Sequence, residues 1–356
     1  MIMKYELTLK IESPVHIGLG DSYIETDFII DEDKNLIKLI DYEKLFNIVK
    51  FDEKTFEEFL KLVKEGNVKN KIASVLGIRD IPYSKEIKFV GRIPKRSMKI
   101  MRHIQSMGRA YIPGSSIKGF IRTALLYSYL KRNPEFLGKE FETLRLQIYR
   151  EKSEKRGRKI DMRKIARNLE SKIFGSDPKN DVLRSLKVVD SSFTEETAIY
   201  EVRIIGNPQA IPLYLECILP GEILRCEVEI EEESVKTDGL IGQVKFDDVL
   251  EALKNFTQDI INSEKSYKKY PKETLDFYRK LETNENLLRI GHSTGYYTKT
   301  IGLLLKELRD FEDFRKMLGL GKNPATGRIV TDFPKTRRLA FQNIPLGWIS
   351  FEVKKI

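Results

Sequence analysis

Residues 5–11, Tyr-Glu-Leu-Thr-Leu-Lys-Ile, alternate apolar and polar side chains with period two, the pattern of a half-buried strand. A glycine-punctuated loop follows at 13–21, Ser-Pro-Val-His-Ile-Gly-Leu-Gly-Asp, before a second alternating segment over 24–30. The period becomes helical over 41–75, where Leu45, Phe46, Val49, Phe56, Phe59, Leu60 and Val63 supply the apolar faces of an insertion or lid. Prolines and glycines at 82, 91 and 94 then punctuate an irregular basic stretch through Arg109. After Pro113 and Gly114, residues Ile117, Phe120, Ile121, Ala124, Leu125 and Ser128 recur at helical spacing and predict one buried stripe. Asn133-Pro134 ends that pattern, and 141–169 reads as charged helices broken near 155–159. Strands are predicted at 186–192, 198–205, 212–217 and 223–230, helices at 246–261 and 267–281, and a closing strand at 346–353 whose Trp348 belongs to the core. The boundary between two halves falls at about 190.

With 41% hydrophobic and 33% charged residues over 356 positions, the chain is long enough for two ordinary domains and too apolar for general disorder. The net charge of +10 is segregated rather than spread. Segment 88–122 holds nine lysines and arginines with no acid, and 145–167 holds ten against three acids, so the remainder is net acidic. Such segregation is the footprint of a polyanion binder, because each neutralised phosphate releases counterions. No apolar run reaches membrane-spanning length, and the N-terminal alternation lacks the blocks of a signal peptide. Cys217 and Cys226 flank a turn without metal-ligand spacing and read as buried free thiols of a cytoplasmic protein. With three histidines in the chain, neither a His-rich metal site nor any other cofactor is expected.

Candidate chemistry concentrates at two loop-to-helix junctions. In Ile112-Pro-Gly-Ser-Ser-Ile-Lys-Gly119, Ser115 or Ser116 stands where an N-cap belongs, and Lys118 and Arg122 lie off the apolar stripe. Free amides, hydroxyls and the helix dipole would converge there on a phosphate. Gly114 to Gly119 places its lysine before the second glycine and so fails the phosphate-loop pattern, which disfavours nucleotide hydrolysis. The second junction, Arg289-Ile-Gly-His-Ser-Thr-Gly-Tyr-Tyr-Thr-Lys-Thr300, offers Arg289, His292, Ser293, Thr294 and Lys299 to phosphate and Tyr296 to a base. Lys95, Arg96, Lys99, Arg102 and Arg109 would track a phosphate backbone, and Arg337 and Arg338 add a further basic cluster. Gly18 and Gly20 would let a ligand approach the main chain closely. His16 is a candidate RNA contact or general base, with no acid-base partner at motif spacing. His103 reads as a stacking neighbour or a bystander.

The combination of a first strand, Ser-Pro-Val-His-Ile-Gly-Leu-Gly, Ile-Pro-Gly-Ser-Ser-Ile-Lys-Gly-Phe-Ile-Arg and a C-terminal glycine-rich loop resembles the RAMP superfamily of CRISPR-associated proteins over nearly the whole chain. The 289–300 loop, Phe-Pro-Lys-Thr-Arg-Arg-Leu at 333–339 and Pro-Leu-Gly-Trp at 345–348 are most similar to the family of fifth Csm subunits of type III-A effector complexes. The resemblance implies an α+β chain of two ferredoxin-like (RRM-related) domains: 1–190 with helical insertions at about 41–75 and 135–180, and 191–356 with the glycine-rich loop. It further implies a non-catalytic subunit that caps the backbone filament, holds the 3′ region of the CRISPR guide RNA, contacts other Csm backbone subunits and supports maturation by engaging trimming nucleases. One competing expectation is a metal-independent RAMP endoribonuclease with His16 or His292 as base and Lys118 or Lys299 on the phosphate. The other is a repeating backbone subunit.

Overall fold

A computed structural model of the chain describes residues 2–49, 52–65, 71–94, 98–154, 162–207, 209–233, 236–323, 326–330, 333–334 and 336–356. Its first large sheet has five antiparallel strands in the order Leu287–Arg289, Trp348–Lys355, Ile2–Ile11, Ile223–Glu231, Leu186–Val188. The predicted alternation is realised directly. Leu7, Leu9 and Ile11 on one central strand, and Leu224, Cys226, Val228 and Ile230 on the next, point into the core. Helices Gly114–Arg132 and Phe246–Lys265 cover that face, with Ile117, Phe120, Ile121 and Phe256 in the same apolar cluster. Trp348 is fully buried there, as its alternating strand predicts.

The second large sheet has eight strands and mixed directions. Its order is Gly18–Tyr23, Ile100–His103, Leu213–Ile218, Thr197–Ile204, Tyr83–Val90, Leu36–Ile40, Phe28–Asp31, with Arg338–Ala340 also beside Thr197–Ile204. The chain is thus α+β with two large sheets, as expected. Each sheet takes strands from both sides of residue 190, so the expected division at 190 and 191 does not separate them. The expected glycine loop also differs from the structure. Gly18 opens an edge strand opposite His103, and the register shifts before Ser22.

The 41–75 insertion is helical, as Tyr42–Ile48, Glu53–Glu65 and Lys71–Val75, around a small core of its own that includes Leu45, Val49, Phe59 and Ile72. Phe46, Phe56 and Leu60, expected on its apolar faces, remain 46%, 45% and 37% exposed. Pro134 begins the next helix, Pro134–Glu154, a first-turn position where its missing N–H costs nothing. The expected break near 155–159 lies outside the described residues.

Candidate nucleic-acid interface

The helix Gly114–Arg132 starts one residue before the expected serines, with Pro113 at its N-cap. A Cβ on Gly114 would lie 2.2 Å from the Val188 carbonyl oxygen, so only glycine allows the helix to seat against that strand. The expected phosphate site is filled from within. Asp190 accepts the Gly114 N–H at 2.8 Å and complements the helix dipole in place of a phosphate. Lys118 is half-buried and donates to the Leu186 carbonyl at 2.7 Å, and burial lowers its pKa. Arg122 pairs with Glu170 at 3.0 Å and Asp181 at 2.7 Å and covers the Phe174 ring. These two cations are therefore braces rather than free phosphate ligands. Ser115 is exposed, and the Ser116 amide donates to the Pro113 carbonyl.

The motifs converge one face further round. A cleft of about 520 Å3 is lined by Gly18, Gly20, Ser116, Gly119, His292 and Lys299, among others. The glycine-rich loop docks against the first glycine segment through its backbone, since the His292 N–H donates to the His16 carbonyl at 2.7 Å. Gly291, at φ +96°, approaches the same oxygen so closely that a Cβ would lie 2.3 Å from it. Lys299 is exposed to the cleft, whereas several neighbours in the motif are spent internally. Thr294 is buried and donates to the Gly291 carbonyl at 3.2 Å, and Ser293 bonds the His292 ring at 2.8 Å. Tyr296 packs edge-on against Phe333 at 4.9 Å and against Gly302, which leaves it part of the loop's packing rather than a free stacking platform.

Arg289 and Arg337 correct the sequence expectation most sharply. Both are buried around Glu264, Arg289 at 3.5 Å and Arg337 at 3.2 Å, with Tyr270 also donating to that carboxylate. Arg289 lies over Trp348 and Arg337 over Tyr267. Their apolar neighbours and shared acid make them core braces. Arg338 stays half-buried, and with Lys299 it helps hold the His292 pKa below its usual value, after burial as the main cause.

A second cleft, of about 950 Å3, is lined by Gly20, Lys99, Arg102 and Arg109 of the expected basic track, together with Lys85 and Gln105. Gly20 lines both clefts. Arg102 pairs with Asp21 at 2.9 Å and covers Tyr23, and Arg109 covers Phe193. A two-stranded hairpin at 105–110 carries Met107 at its turn, 94% exposed. Lys95 and Arg96 lie outside the described residues. Pattern reading missed Lys85, Gln105, Gly119 and Thr123. The spacing of Ser116, Gly119 and Thr123, three and seven positions along one helix, already marked a small-residue face.

The three histidines of the chain meet behind this groove. The His16 ring lies 5.9 Å from those of His103 and His292, edge-on to both. His16 is fully buried and its Nδ1 donates to the Glu216 carbonyl at 2.7 Å. His103, also fully buried, accepts the Ile17 N–H at Nδ1 and donates from Nε2 to the Tyr111 carbonyl. Burial pushes both rings down to about 4, so they are neutral near pH 7. Neither is placed to touch a ligand, which corrects the expectation of His16 as an RNA contact and of His103 as a stacking neighbour or exposed bystander.

Comparison with known proteins agrees with this architecture. The RAMP superfamily profile matches residues 8–296. A Csm5 protein of a CRISPR system from Methanocaldococcus jannaschii is 25% identical, over 97% of this chain and 88% of that protein. A chain in the structure of a Csm–crRNA–target RNA ternary complex of a type III-A CRISPR-Cas system superposes with a TM-score of 0.83 at 30% identity, covering 98% of this chain and 100% of that one. The crystal structure of T. onnurineus Csm5 gives 0.71 at 28% identity, with 96% and 99% covered. With its two large sheets, its docked glycine loops and a profile match that runs from the first strand into the glycine-rich loop, this chain belongs to the RAMP superfamily.

Proposed function

We propose that this protein is the Csm5 subunit of a type III-A CRISPR Csm complex, a non-catalytic RNA-binding subunit that caps the backbone filament. It holds the 3′ region of the guide RNA, contacts the other Csm backbone subunits and supports guide maturation and antiviral defence, including by engaging trimming nucleases in the cytoplasm. The observation that carries the reading is the pair of clefts that share Gly20, in which exposed Lys99, Arg109 and Lys299 make no ion pair among the described residues. A groove of backbone, small side chains and cations holds phosphates without reading bases, which suits a guide whose sequence must vary. The domain division at 190 belongs to this reading only as a division of motifs, since the sheets are shared.

The test is binding of the purified chain to labelled single-stranded RNAs of different sequence across a salt series. Wild type should bind all of them alike and leave them intact. Lys99→Ala/Arg109→Ala/Lys299→Ala should weaken binding and reduce the slope of log K against log salt by about 2, at about 0.7 per lost phosphate contact on a single strand. An unchanged slope would place the RNA elsewhere, and products ending in 2′,3′-cyclic phosphate would favour the nuclease reading.

A further inference from the structure

Leu213–Ile218 is an interior strand of the second sheet, between Ile100–His103 and Thr197–Ile204. Glu216 on this strand is fully buried, where an ionised carboxylate persists only if it is paired and hydrogen-bonded. Four donors converge on it. Gln105 Nε2 donates to Oε1 at 2.7 Å, the His103 N–H donates to Oε2 at 3.2 Å, and the Thr197 hydroxyl lies 3.4 Å from Oε1. Lys85 Nζ stands 3.9 Å from the same oxygen. The main-chain oxygen of Glu216 meanwhile accepts His16 Nδ1.

These partners sit at the two clefts. Gln105 opens the hairpin that carries Met107 and Arg109, and with Lys85 it lines the larger cleft. His16 precedes the glycine segment of the smaller cleft, and its carbonyl holds the glycine-rich loop through His292. We infer that Glu216 is the positioning residue of the groove: its carboxylate and carbonyl fix the hairpin and the glycine segment at one separation on either side of Gly20. The two clefts that share Gly20 are thereby held in one register relative to each other. This inference rests on the RNA-binding reading above.

The chemistry calls for a carboxylate rather than an amide. An ionised carboxyl group accepts at both oxygens, whereas Glu216→Gln would aim an NH2 group at the donors of His103 or Gln105. Part of the hairpin's hold would be lost while side-chain volume is kept.

Hydrogen–deuterium exchange of the RNA-free chain tests positioning without reference to RNA. In Glu216→Gln, amides of 105–110 should exchange faster, while 16–20, held through the unchanged main-chain carbonyl, and Phe246–Lys265 stay protected as in wild type. RNA affinity should fall by about tenfold, the scale expected when a hydrogen bond to a charged group is lost. Adding Gln105→Ala to Glu216→Gln should cost little more, because both remove one link, whereas adding Lys299→Ala should be additive. If Glu216→Gln does not fold, Gln105→Ala alone carries the test, with faster exchange at 105–110 and the same loss of affinity. Protection unchanged at 105–110, exchange raised across the whole sheet, or affinity within twofold of wild type overturns the inference. If wild-type chain binds no RNA, the functional reading fails, and the exchange pattern still decides whether Glu216 positions the two clefts.

Discussion

A buried imidazole is stable only while it is neutral, and His16 and His103 show the consequence. Their folded pKa values of about 4 lie below the ordinary histidine value, so between those limits the unfolded chain binds more protons than the folded one. Stability therefore falls as pH drops from about 6.5 towards about 4, by on the order of 3 kcal/mol for either ring. His16→Asn keeps a side-chain N–H for the Glu216 carbonyl and removes one of these titrations. Urea unfolding at about pH 7 and about pH 4.5 should show a smaller acid loss in this variant. An undiminished loss would mean that His16 is not held neutral by the fold. The same residue illustrates what a lone histidine conceals in sequence. Val15 and Ile17 announce burial, but the carbonyl that orients its ring is 200 positions away.

At the scale of elements, the helix Gly114–Arg132 was legible in its apolar stripe and misleading in its charges. Ile117, Phe120, Ile121, Ala124 and Leu125 are all buried, as helical spacing requires. Lys118 and Arg122 leave that stripe yet meet a carbonyl and two carboxylates brought in by 170–190. Lys118→Ala should therefore lower stability by about 1 kcal/mol through the lost charge-assisted hydrogen bond and leave the salt slope of RNA binding unchanged. Lys299→Ala should do the reverse. Thermal melts and salt titrations of the two variants check this, and a reduced slope for Lys118→Ala would return that lysine to the phosphate path. The glycine-rich loop divides in the same way, with Lys299 left exposed while Arg289 and Thr294 are absorbed into the fold.

At the scale of the whole molecule, the first and last strands close one sheet. Ile2–Ile11 pairs with Trp348–Lys355 on one side and Ile223–Glu231 on the other, and Leu213–Ile218 and Thr197–Ile204 complete the second sheet. Residues 1–190 alone would leave Ile2–Ile11 without either neighbour and its apolar face uncovered by Phe246–Lys265. That fragment should show no cooperative thermal transition by circular dichroism, whereas the full chain should show one. A cooperative melt of the fragment would mean that the two halves fold as separate units after all.

The sequence by itself marked the main helices, the strands at 5–11, 198–205, 223–230 and 346–353, and the places where glycine and hydroxyl groups bring backbone near a ligand, because alternation, helical spacing and turn chemistry act over a few residues, while Leu36–Ile40, Tyr83–Val90 and Ile100–His103 were not legible in its pattern. Its segregated charge also pointed to a polyanion. Only the tertiary structure decided which cations remain free, since each brace is made by a distant partner: the Leu186 carbonyl for Lys118 across 68 positions, Asp181 for Arg122 across 59, Glu264 for Arg337 across 73. Pairing of this kind follows from sheet topology, and local periodicity carries no information about it. Lys99 and Arg109 line one cleft and Lys299 the other, both sharing Gly20, because the fold brings together segments nearly three hundred residues apart in the chain.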